Sequence, residues 1–263
     1  MSVIRFENVT KIYDGQPVLD DLSLEVGESE LKIVLGGSGS GKTTLLKLVL
    51  GLARPESGRV VIFGQDITNL KETELMPLRG RIGMVFQEGA LFDSLTVAEN
   101  VGYRLTERGE LSLEAIDREV RKVLGFVGLE QAYSKLPAEL SGGMKKRVAI
   151  GRALVGQPEI MLFDESTAGL DPITSRTICE LVLKLRDIEK VSAIFVTHDL
   201  NTAMSLADEK AVEEDGRVEF LPTASDSASG TSFIMLENGA ILFEGGKEEL
   251  LNSGNPYIRE FLD

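Results

Sequence analysis

The stretch LKIVLGGSGSGKTTLLKLVLGL, residues 31–52, decides the fold. Its first five residues are mostly apolar and end at glycines, which predicts a short buried strand. A helical pattern begins at Lys42 and continues to about Leu52. Between the two, Gly36–Thr43 fits G-x-x-x-x-G-K-[ST] without exception, in the strand and helix context that this pattern requires. The stretch therefore predicts a phosphate-binding loop in an α/β domain.

The chemistry of this loop follows from its residue types. Small residues let successive backbone N–H groups turn inward around a phosphate, and a helix N-terminus adds about half a positive charge. We expect Lys42 to reach the β- and γ-phosphates of a nucleotide, and the Thr43 hydroxyl to be a ligand of Mg²⁺. The alternative, a merely flexible glycine loop, does not account for the flanking strand and helix.

Other patterns along the chain complete the α/β core. Residues 3–8 and 18–26 alternate partly between apolar and polar residues around the turn Asp14-Gly15, which predicts an antiparallel pair. The apolar runs 160–163 and 193–196 are typical of strands buried in a parallel sheet. We therefore predict a P-loop NTPase core with a mixed, mainly parallel sheet and an N-terminal antiparallel β subdomain.

Two further segments modify this core. Residues 88–150 are mostly helical in pattern, with breaks near Gly109 and Pro137, and predict an inserted α-helical subdomain. Residues 222–232 form a low-complexity stretch that we expect to be a mobile loop. The whole chain, residues 1–263, is predicted to form a single domain.

Composition narrows the function. Apolar residues make up 43% of the 263 residues, enough for a substantial core, and the net charge of −14 argues against nucleic-acid binding. The single cysteine, Cys179, rules out an internal disulfide and is expected to be a small buried apolar residue. The sequence shows neither a signal peptide nor the ~20-residue apolar run of a membrane helix. We therefore expect a soluble or peripheral protein, with any membrane crossing done by another chain.

Two acids, Asp164 and Glu165, follow the apolar run 160–163. Unpaired charge at the edge of a core is costly, so the pair calls for a reason. We expect Asp164 to reach Mg²⁺ through water, opposite Thr43, and Glu165 to polarise the attacking water as general base. The alternative, a solvated strand end, is disfavoured by the phosphate loop earlier in the chain.

The only histidine, His198, follows the apolar run 193–196. A lone histidine is more often structural than catalytic. This one lies at the end of a predicted parallel strand, where ligands bind in open α/β sheets. That position favours a contact with the γ-phosphate.

A second anion-binding turn is predicted at Leu140–Gly143, directly before a basic helix. Ser141 with two glycines at a helix N-terminus can bind a phosphate, although an ordinary N-cap is the alternative. The ordered set of motifs resembles the ABC ATPase family, over roughly residues 3–206 and again near 234–263. The set consists of the phosphate loop, Gln87, Leu140–Gly143, Asp164-Glu165, Asp171 and His198.

This resemblance implies ATP and Mg²⁺ as cofactors and ATP hydrolysis as the reaction. It also implies a head-to-tail dimer of two copies with two shared ATP sites. The partners it implies are integral membrane permease subunits, and the location is cytoplasmic, peripheral on the inner face of the cell membrane. Relative to the family, residues 210–232 look like an insertion, either a hairpin with a loose tip or a tolerated surface loop.

The resemblance also implies roles for individual residues. In the family, the turn at Ser141 binds the γ-phosphate of the ATP held by the other copy. Tyr13 matches an adenine-stacking aromatic, Gln87 a glutamine that senses Mg²⁺ and the permease, and Asp171 a loop aspartate that contacts the opposing subunit. The implied nucleotide-binding residues are Tyr13, Gly36, Gly37, Ser38, Gly39, Ser40, Gly41, Lys42, Thr43, Thr44, Ser141, Gly142, Gly143 and Asp171. The implied catalytic residues are Glu165, His198 and Gln87, and the implied metal ligands are Thr43, Gln87 and Asp164.

Three features resemble the lipid-trafficking branch of the family, the ATPases paired with Mla/Mce-type permeases. They are Met144 in place of the usual glutamine, the segment Met84–Val101 and the ending Asn255–Leu262. This branch implies phospholipid or lipid transport, with an Mce-type lipid-binding protein and a small regulatory subunit as further partners. One departure from the family is Ser166-Thr167, where Pro-Thr or Pro-Phe is commoner.

Three alternatives stay open. The chain could be the ATPase of another ABC transporter, importing amino acids or exporting drugs. It could be a soluble ABC protein of translation or DNA maintenance, but it lacks paired cassettes and long coiled-coil insertions, and its acidity disfavours nucleic acid. A non-hydrolysing interaction module would need loss of Glu165 or Lys42, and both are present.

Overall fold

The structure, a computed structural model, describes residues 2–223 and 230–262. The strands are β1 (Ser2–Tyr13), β2 (Gln16–Gly27), β3 (Leu31–Leu35), β4 (Ser57–Ile62), β5 (Gln65–Asp66), β6 (Ile82–Val85), β7 (Ile160–Asp164), β8 (Ser192–Val196), β9 (Glu209–Glu214), β10 (Arg217–Pro222), β11 (Thr231–Glu237) and β12 (Ala240–Gly245). The helices are α1 (Lys42–Val49), α2 (Glu72–Arg79), α3 (Val97–Arg108), α4 (Leu113–Phe126), α5 (Gly142–Leu154), α6 (Pro172–Asp187), α7 (Leu200–Asp208), α8 (Lys247–Leu251) and α9 (Pro256–Leu262). None of these helices is both long and apolar enough to cross a bilayer.

The main sheet has the strand order β12-β11-β3-β8-β7-β6. Its strands run parallel except for β12, which pairs antiparallel at one edge. Every residue of β3, β7 and β8 is buried, because the sheet is covered on both faces. Burial on both faces explains why the sequence shows apolar runs instead of alternation, and the predicted parallel sheet is confirmed.

The N-terminal sheet is antiparallel, with the order β2-β1-β4-β5. The first two strands pair up to Tyr13 opposite Gln16. Asp14 and Gly15 between them have φ of 50° and 75°, the left-handed values that a two-residue hairpin turn requires. The predicted antiparallel pair is therefore confirmed.

Helices α3, α4 and α5 pack against one another in the chain segment predicted to be a helical subdomain. Each begins at a hydroxyl N-cap: Thr96, Ser112 and Ser141. The first of them ends at Gly109, which has φ 64°. The last runs on to Leu154, beyond residue 150, because its C-terminal half continues into the main core.

Strands β9 and β10 form a two-stranded antiparallel hairpin in the segment predicted to be an insertion. Buried Arg186 connects it to the core. Its guanidinium donates to the Asp187 carboxylate at 2.6 Å, to the Thr231 hydroxyl at 2.5 Å and to the Glu209 carbonyl at 2.9 Å. Such a network holds strands of low apolar content that propensity alone would not favour.

The predicted mobile loop at 222–232 is wrong at both ends. Pro222 is paired with Glu209 in the hairpin, and Thr231 is paired with Leu31 in the main sheet. Pairing with strands that are distant in sequence overrides the local composition there. The rest of that prediction, residues 224–229, lies outside the described residues.

Candidate nucleotide-binding site

The predicted site residues meet at the carboxyl ends of the parallel strands. The phosphate loop (Gly36–Thr43) follows β3, Gln87 follows β6, Asp164 ends β7 and His198 follows β8. An open cleft of about 560 Å³ lies at this edge. This nucleotide cleft is lined by Val18, Gly37–Thr44, Gln87, Glu165, His198 and Phe261. It lies where ligands bind in open α/β sheets.

Lys42 occupies the middle of the phosphate loop. Its Nζ donates to the carbonyls of Gly36 at 2.7 Å and Gly37 at 2.8 Å, which fixes the ammonium inside the turn. Burial lowers the pKa of Lys42, while the carboxylates of Glu165 and Asp164 oppose that shift. The ammonium is therefore positioned for an anion that would restore its lost solvation.

Glycine is required at two positions of the loop. Gly41 has φ 102°, and a Cβ there would lie 2.6 Å from Leu19 Cδ2 and 2.7 Å from the Val18 carbonyl oxygen. At Gly36, with φ 153°, a Cβ would lie 2.5 Å from the Leu236 carbonyl oxygen. The close approach of the neighbouring backbones leaves no room for a side chain.

The loop has unsatisfied polar groups that suit a phosphate. Gly41 precedes α1 and no side chain caps the helix, so its first N–H groups have no side-chain acceptor. The Ser40 hydroxyl is buried and has no hydrogen-bond partner among the described residues. These donors and Lys42 face the cleft region together, so the residues fit a bound phosphate chain.

Thr43 and Asp164 are the groups suited to Mg²⁺. The Thr43 hydroxyl donates to Asp164 Oδ1 at 3.2 Å. Burial raises the pKa of Asp164, opposed by the Thr43 hydrogen bond. Among the described residues, no three or more acidic, histidine or cysteine side chains are arranged so that they alone could hold a metal ion. This donor set fits Mg²⁺, which commonly uses one or two protein oxygens together with substrate phosphates and water.

Glu165 and His198 form a pair beside the lysine. His198 Nδ1 lies 2.8 Å from Glu165 Oε2, and Lys42 Nζ lies 4.0 Å from Glu165 Oε1. Glu165 has φ 47°, a left-handed value that is rare for a side-chain-bearing residue and frequent at functional sites. His198 is well exposed, whereas Glu165 is largely buried. The carboxylate is thus oriented into the cleft by a single imidazole.

Gln87 is exposed and lines the nucleotide cleft, so its side chain is free to contact a ligand. Its backbone is held separately, because the Lys146 ammonium donates to the Gln87 carbonyl. This lysine belongs to α5, so the helix of the second predicted turn also positions Gln87.

Other predicted nucleotide-binding residues do not line the cleft of their own chain. Ser141 caps α5 by accepting from the Met144 N–H at 3.3 Å, and Asp171 caps α6 by accepting from Ile173 and Thr174 N–H groups at 3.1 Å. Thr174 also lies against Gly143, where a Cβ would be 2.2 Å from its Cγ2.

Gly142 continues the same exposed turn. Tyr13 is 41% exposed and lies outside the cleft lining, with Lys11 Nζ 4.8 Å from its ring centroid. The structure therefore separates one group of predicted residues, around Lys42, from a second group around Ser141.

Sequence reasoning missed two residues of the cleft lining, Val18 and Phe261. The first lies in an ordinary alternating strand, and the second in a C-terminal helix almost 220 residues after the phosphate loop. Neither position carries a local signal of nucleotide binding.

A larger cavity of about 670 Å³ lies at the opposite edge of the sheet. It opens beside residues that precede the parallel strands, including the ion pair Arg81–Glu159. None of the predicted site residues lines it, and its walls mix both signs of charge. Size alone therefore does not identify the functional site.

Fold and site together define a P-loop nucleotide-binding cassette. The model of the ABC transporter family matches residues 19–168, and the chain belongs to this family. The predicted ABC ATPase fold is confirmed.

The chain is similar to methionine import ATP-binding proteins. It is 39% identical over 223 residues to that of Bifidobacterium longum, covering 82% of this chain and 55% of the relative. It is 42% identical over 221 residues to that of Rhizobium etli, covering 82% and 60%. The chain thus spans less than two thirds of the length of these relatives.

Solved cassettes share the fold. A dimeric ATP-binding cassette, MJ0796, in a post-hydrolysis state bound to ADP and Pi, is 31% identical with a TM-score of 0.77, covering 92% of this chain and 98% of that one. The protein cbiO1 of Clostridium perfringens, part of an ABC transporter complex, is 27% identical with a TM-score of 0.80, covering 95% and 90%.

Proposed function

We propose that this chain binds Mg-ATP in the nucleotide cleft and hydrolyses it to drive a membrane permease. The observation that carries the proposal is the convergence of Lys42, the Thr43–Asp164 pair and the Glu165–His198 pair on one cleft. A nucleotide-binding module without hydrolysis would have no use for a carboxylate held by an imidazole beside the phosphate loop.

The residues proposed to bind the nucleotide belong to the phosphate loop, the start of α1 and the end of β7. Lys42 and the free N–H groups at the start of α1 would hold the phosphate chain, and Thr43 with Asp164 would hold the metal ion, Asp164 through water. Bound Mg²⁺ supplies charge neutralisation on the phosphate oxygens. Thr43 and Asp164 already face each other, whereas the Lys42 ammonium would exchange its contacts with the Gly36 and Gly37 carbonyls for phosphate oxygens.

The hydrolytic half centres on Glu165. As general base, its carboxylate would take the proton of the attacking water. His198 holds that carboxylate at 2.8 Å and would itself contact the γ-phosphate from the exposed side of the cleft. Gln87, on the same wall, would sense whether the metal ion is bound.

The second predicted group acts in the proposed dimer. Ser141 and Asp171 lie outside the cleft of their own chain, so they would serve the site of a second copy arranged head to tail. That the cassette MJ0796 is dimeric supports the existence of a dimer. Closure would exclude water and place the turn at Ser141 on the γ-phosphate.

Mixing two impaired variants tests the shared site. Lys42→Ala damages the phosphate loop and Ser141→Ala damages the turn. In a mixed head-to-tail dimer one of the two sites contains neither change. The mixture should recover about a quarter of wild-type phosphate release, because half the dimers are mixed and each has one intact site. No recovery, with both variants folded, would contradict shared sites.

A shallow apolar groove next to Gln87 is the proposed docking surface for the permease. It measures about 360 Å³ and includes Phe86, Phe92 and Tyr103, all exposed. Exposed aromatic groups clustered in a groove mark a partner surface. Since Phe86 precedes Gln87 directly, a docked segment would be coupled to the cleft through one residue.

The groove can be tested with the chain and its permease together. Phe92→Asp should abolish co-elution with the permease and leave Mg-ATP affinity unchanged. Leu113→Asp is the matched control, since Leu113 is 77% exposed and lies outside the groove. Retention of the permease by Phe92→Asp would place the docking surface elsewhere.

The transported substrate is proposed from similarity to relatives, since no residue of the nucleotide cleft would contact it. The relatives reported above are named for methionine import, so amino-acid uptake is the first substrate class to test. The lipid hypothesis finds no support in those names and rests only on Met144, the segment Met84–Val101 and the ending Asn255–Leu262. The Mce-type and regulatory partners remain predictions with it.

Reconstitution decides between these classes. We expect this chain at the cytoplasmic face of the cell membrane, bound to its permease. The permease that co-purifies with the chain is reconstituted with it in proteoliposomes, and ATP is added. ATP-dependent methionine uptake would favour import, and ATP-dependent movement of labelled phospholipid would favour the lipid branch. Co-purification with ribosomes or DNA instead would remove the transport function altogether.

A further inference from the structure

Helix α9 at the end of the chain lies beside the phosphate loop, and this contact follows from topology. Strand β11 adds to β3 in parallel, with Met235 opposite Leu35. The chain therefore passes the phosphate loop at the end of β11. The Leu236 carbonyl oxygen would lie 2.5 Å from a Cβ placed at Gly36. Strand β12 and helix α8 then bring α9 back over the same edge.

Two aromatic residues one helical turn apart face the loop from α9. Phe261 lines the nucleotide cleft. A Cβ placed at Gly37 would lie 3.5 Å from the Tyr257 hydroxyl oxygen, and no other non-adjacent heavy atom comes within 4 Å of that position. Residues four apart share one face of a helix, so the phenol lies next to the phenyl ring. Tyr257 is not itself among the residues that line the cleft, so its hydroxyl stands beside the phosphate loop at the edge of that lining.

The helix is fixed in this position. Ile258 is buried in the main core, and Asn255 Oδ1 accepts from the Tyr257 N–H at 2.9 Å. The Tyr257 hydroxyl itself forms no hydrogen bond within residues 2–223 and 230–262. A rigidly placed, unpaired phenol donor thus stands beside the loop that would bind phosphates.

We propose that α9 is a wall of the nucleotide site, with the Tyr257 hydroxyl donating to the phosphate chain and Phe261 shielding it from water. This rests on the proposed function, since it needs a nucleotide in the cleft. A phenol hydrogen bond to a charged phosphate is of the stronger, charge-assisted kind. The Phe261 ring adds apolar surface to the cleft lining, as Val18 does.

The test removes one oxygen atom. Tyr257→Phe keeps the ring and its packing, and we expect its Kd for a fluorescent, non-hydrolysable Mg-ATP analogue to rise about tenfold, as loss of a hydrogen bond to a charged group does. The matched control is Tyr133→Phe, which removes a hydroxyl bonded to Asp117 in the helical segment. It should leave that Kd unchanged.

Hydrogen exchange on the unaltered chain gives a second readout. The analogue should slow exchange of the amides of residues 257–262, because a ligand contacting α9 suppresses its local opening. Unchanged affinity in Tyr257→Phe, or unchanged exchange in that helix while the phosphate loop is protected, would overturn the proposal. Absence of binding to the wild-type chain would instead overturn the proposed function.

Discussion

Two helix N-termini of this chain contain glycines, Gly41 before α1 and Gly142 with Gly143 at the start of α5, yet they satisfy their backbone groups differently. At α1, Gly41 provides no side-chain cap, and Lys42 is folded back into the loop. At α5, Ser141 caps the helix through the Met144 N–H. The first N–H groups of α1 therefore have no side-chain acceptor, whereas one of the first N–H groups of α5 already has an acceptor in its own chain.

This difference predicts a division of labour between the two regions. The region around Lys42 has the proposed base, the proposed metal ligands and the loop in mutual contact, so we expect one copy to be enough to bind nucleotide. The region around Ser141 packs against α6 and the loop before it, with Thr174 between Gly143 and Asp171 and with Leu170 near Gly142. It therefore contributes only where another molecule brings a ligand to it.

The largest expected effect comes from removing the base. Glu165→Gln should lower phosphate release at least about 100-fold, the contribution of a positioned general base, while Mg-ATP still binds and a dimer accumulates. Phosphate release measures the loss of hydrolysis, and light scattering measures the accumulation of the dimer. Glu159→Gln, at the opposite edge of the sheet, is the control and should hydrolyse normally. Steady-state turnover in Glu165→Gln would remove this residue from the role of base.

The second prediction separates the two N-termini directly. Ser141→Ala should reduce maximal turnover about tenfold, the loss of one hydrogen bond to a charged group, with little change in the nucleotide affinity of the dilute chain. Ser112→Ala is matched to it, since Ser112 caps α4 with the same 3.3 Å hydrogen bond. Both variants should lose about 1 kcal/mol of stability through the lost cap.

Only the first of these two variants should lose turnover. Equal kinetics in Ser141→Ala and Ser112→Ala would mean that Ser141 is an ordinary N-cap. A large loss of affinity in the dilute Ser141→Ala chain would mean that one copy uses both N-termini on the same nucleotide.

The third prediction concerns pH. Burial raises the pKa of Asp164, so in the folded, ligand-free chain the charged form is disfavoured. The protonated form therefore stabilises the fold at low pH, and that contribution is lost as the pH rises through the folded-state pKa. Asp164→Asn keeps an acceptor for Thr43 and removes the charge, so at neutral pH its melting temperature should exceed that of the wild type by about 2–4 °C.

Melting curves across pH check this sign. The two proteins should converge as the pH falls through the folded-state pKa of Asp164. At neutral pH, Mg²⁺ should strengthen nucleotide binding to the wild type far more than to Asp164→Asn. A lower melting temperature for the variant at neutral pH would show that attraction to Lys42 outweighs the burial of the carboxylate.

The placement of the residues around Lys42 could be predicted from the sequence, because each part is encoded locally. A buried strand, a glycine loop and a helix are contiguous in residues 31–52, and each acidic or imidazole group directly follows an apolar run. The parallel sheet then brings the strand ends together without further information.

Contacts set by long-range pairing could not be predicted. Phe261 reaches the cleft only because β11 joins β3, a pairing across about 200 residues that no local pattern encodes. Likewise Thr231 and Ser232 are residue types common in loops, yet they form part of a strand because they pair with the buried strand β3. The hairpin β9–β10 depends on Arg186, whose role is visible only once its partners are in place.

The smallest expected effect compares two buried serines. Ser40 and Ser166 each have a hydroxyl without a partner among the described residues, but only Ser40 lines the nucleotide cleft. An unsatisfied buried hydroxyl costs about 1 kcal/mol, so either serine-to-alanine change should raise the melting temperature by about 2 °C. If the Ser40 hydroxyl donates a hydrogen bond to a bound phosphate, Ser40→Ala should also weaken Mg-ATP binding severalfold, whereas Ser166→Ala should not. Equal affinities in titrations of both variants would mean that Ser40, like Ser166 beside the base, is a packing residue whose hydroxyl the site does not use.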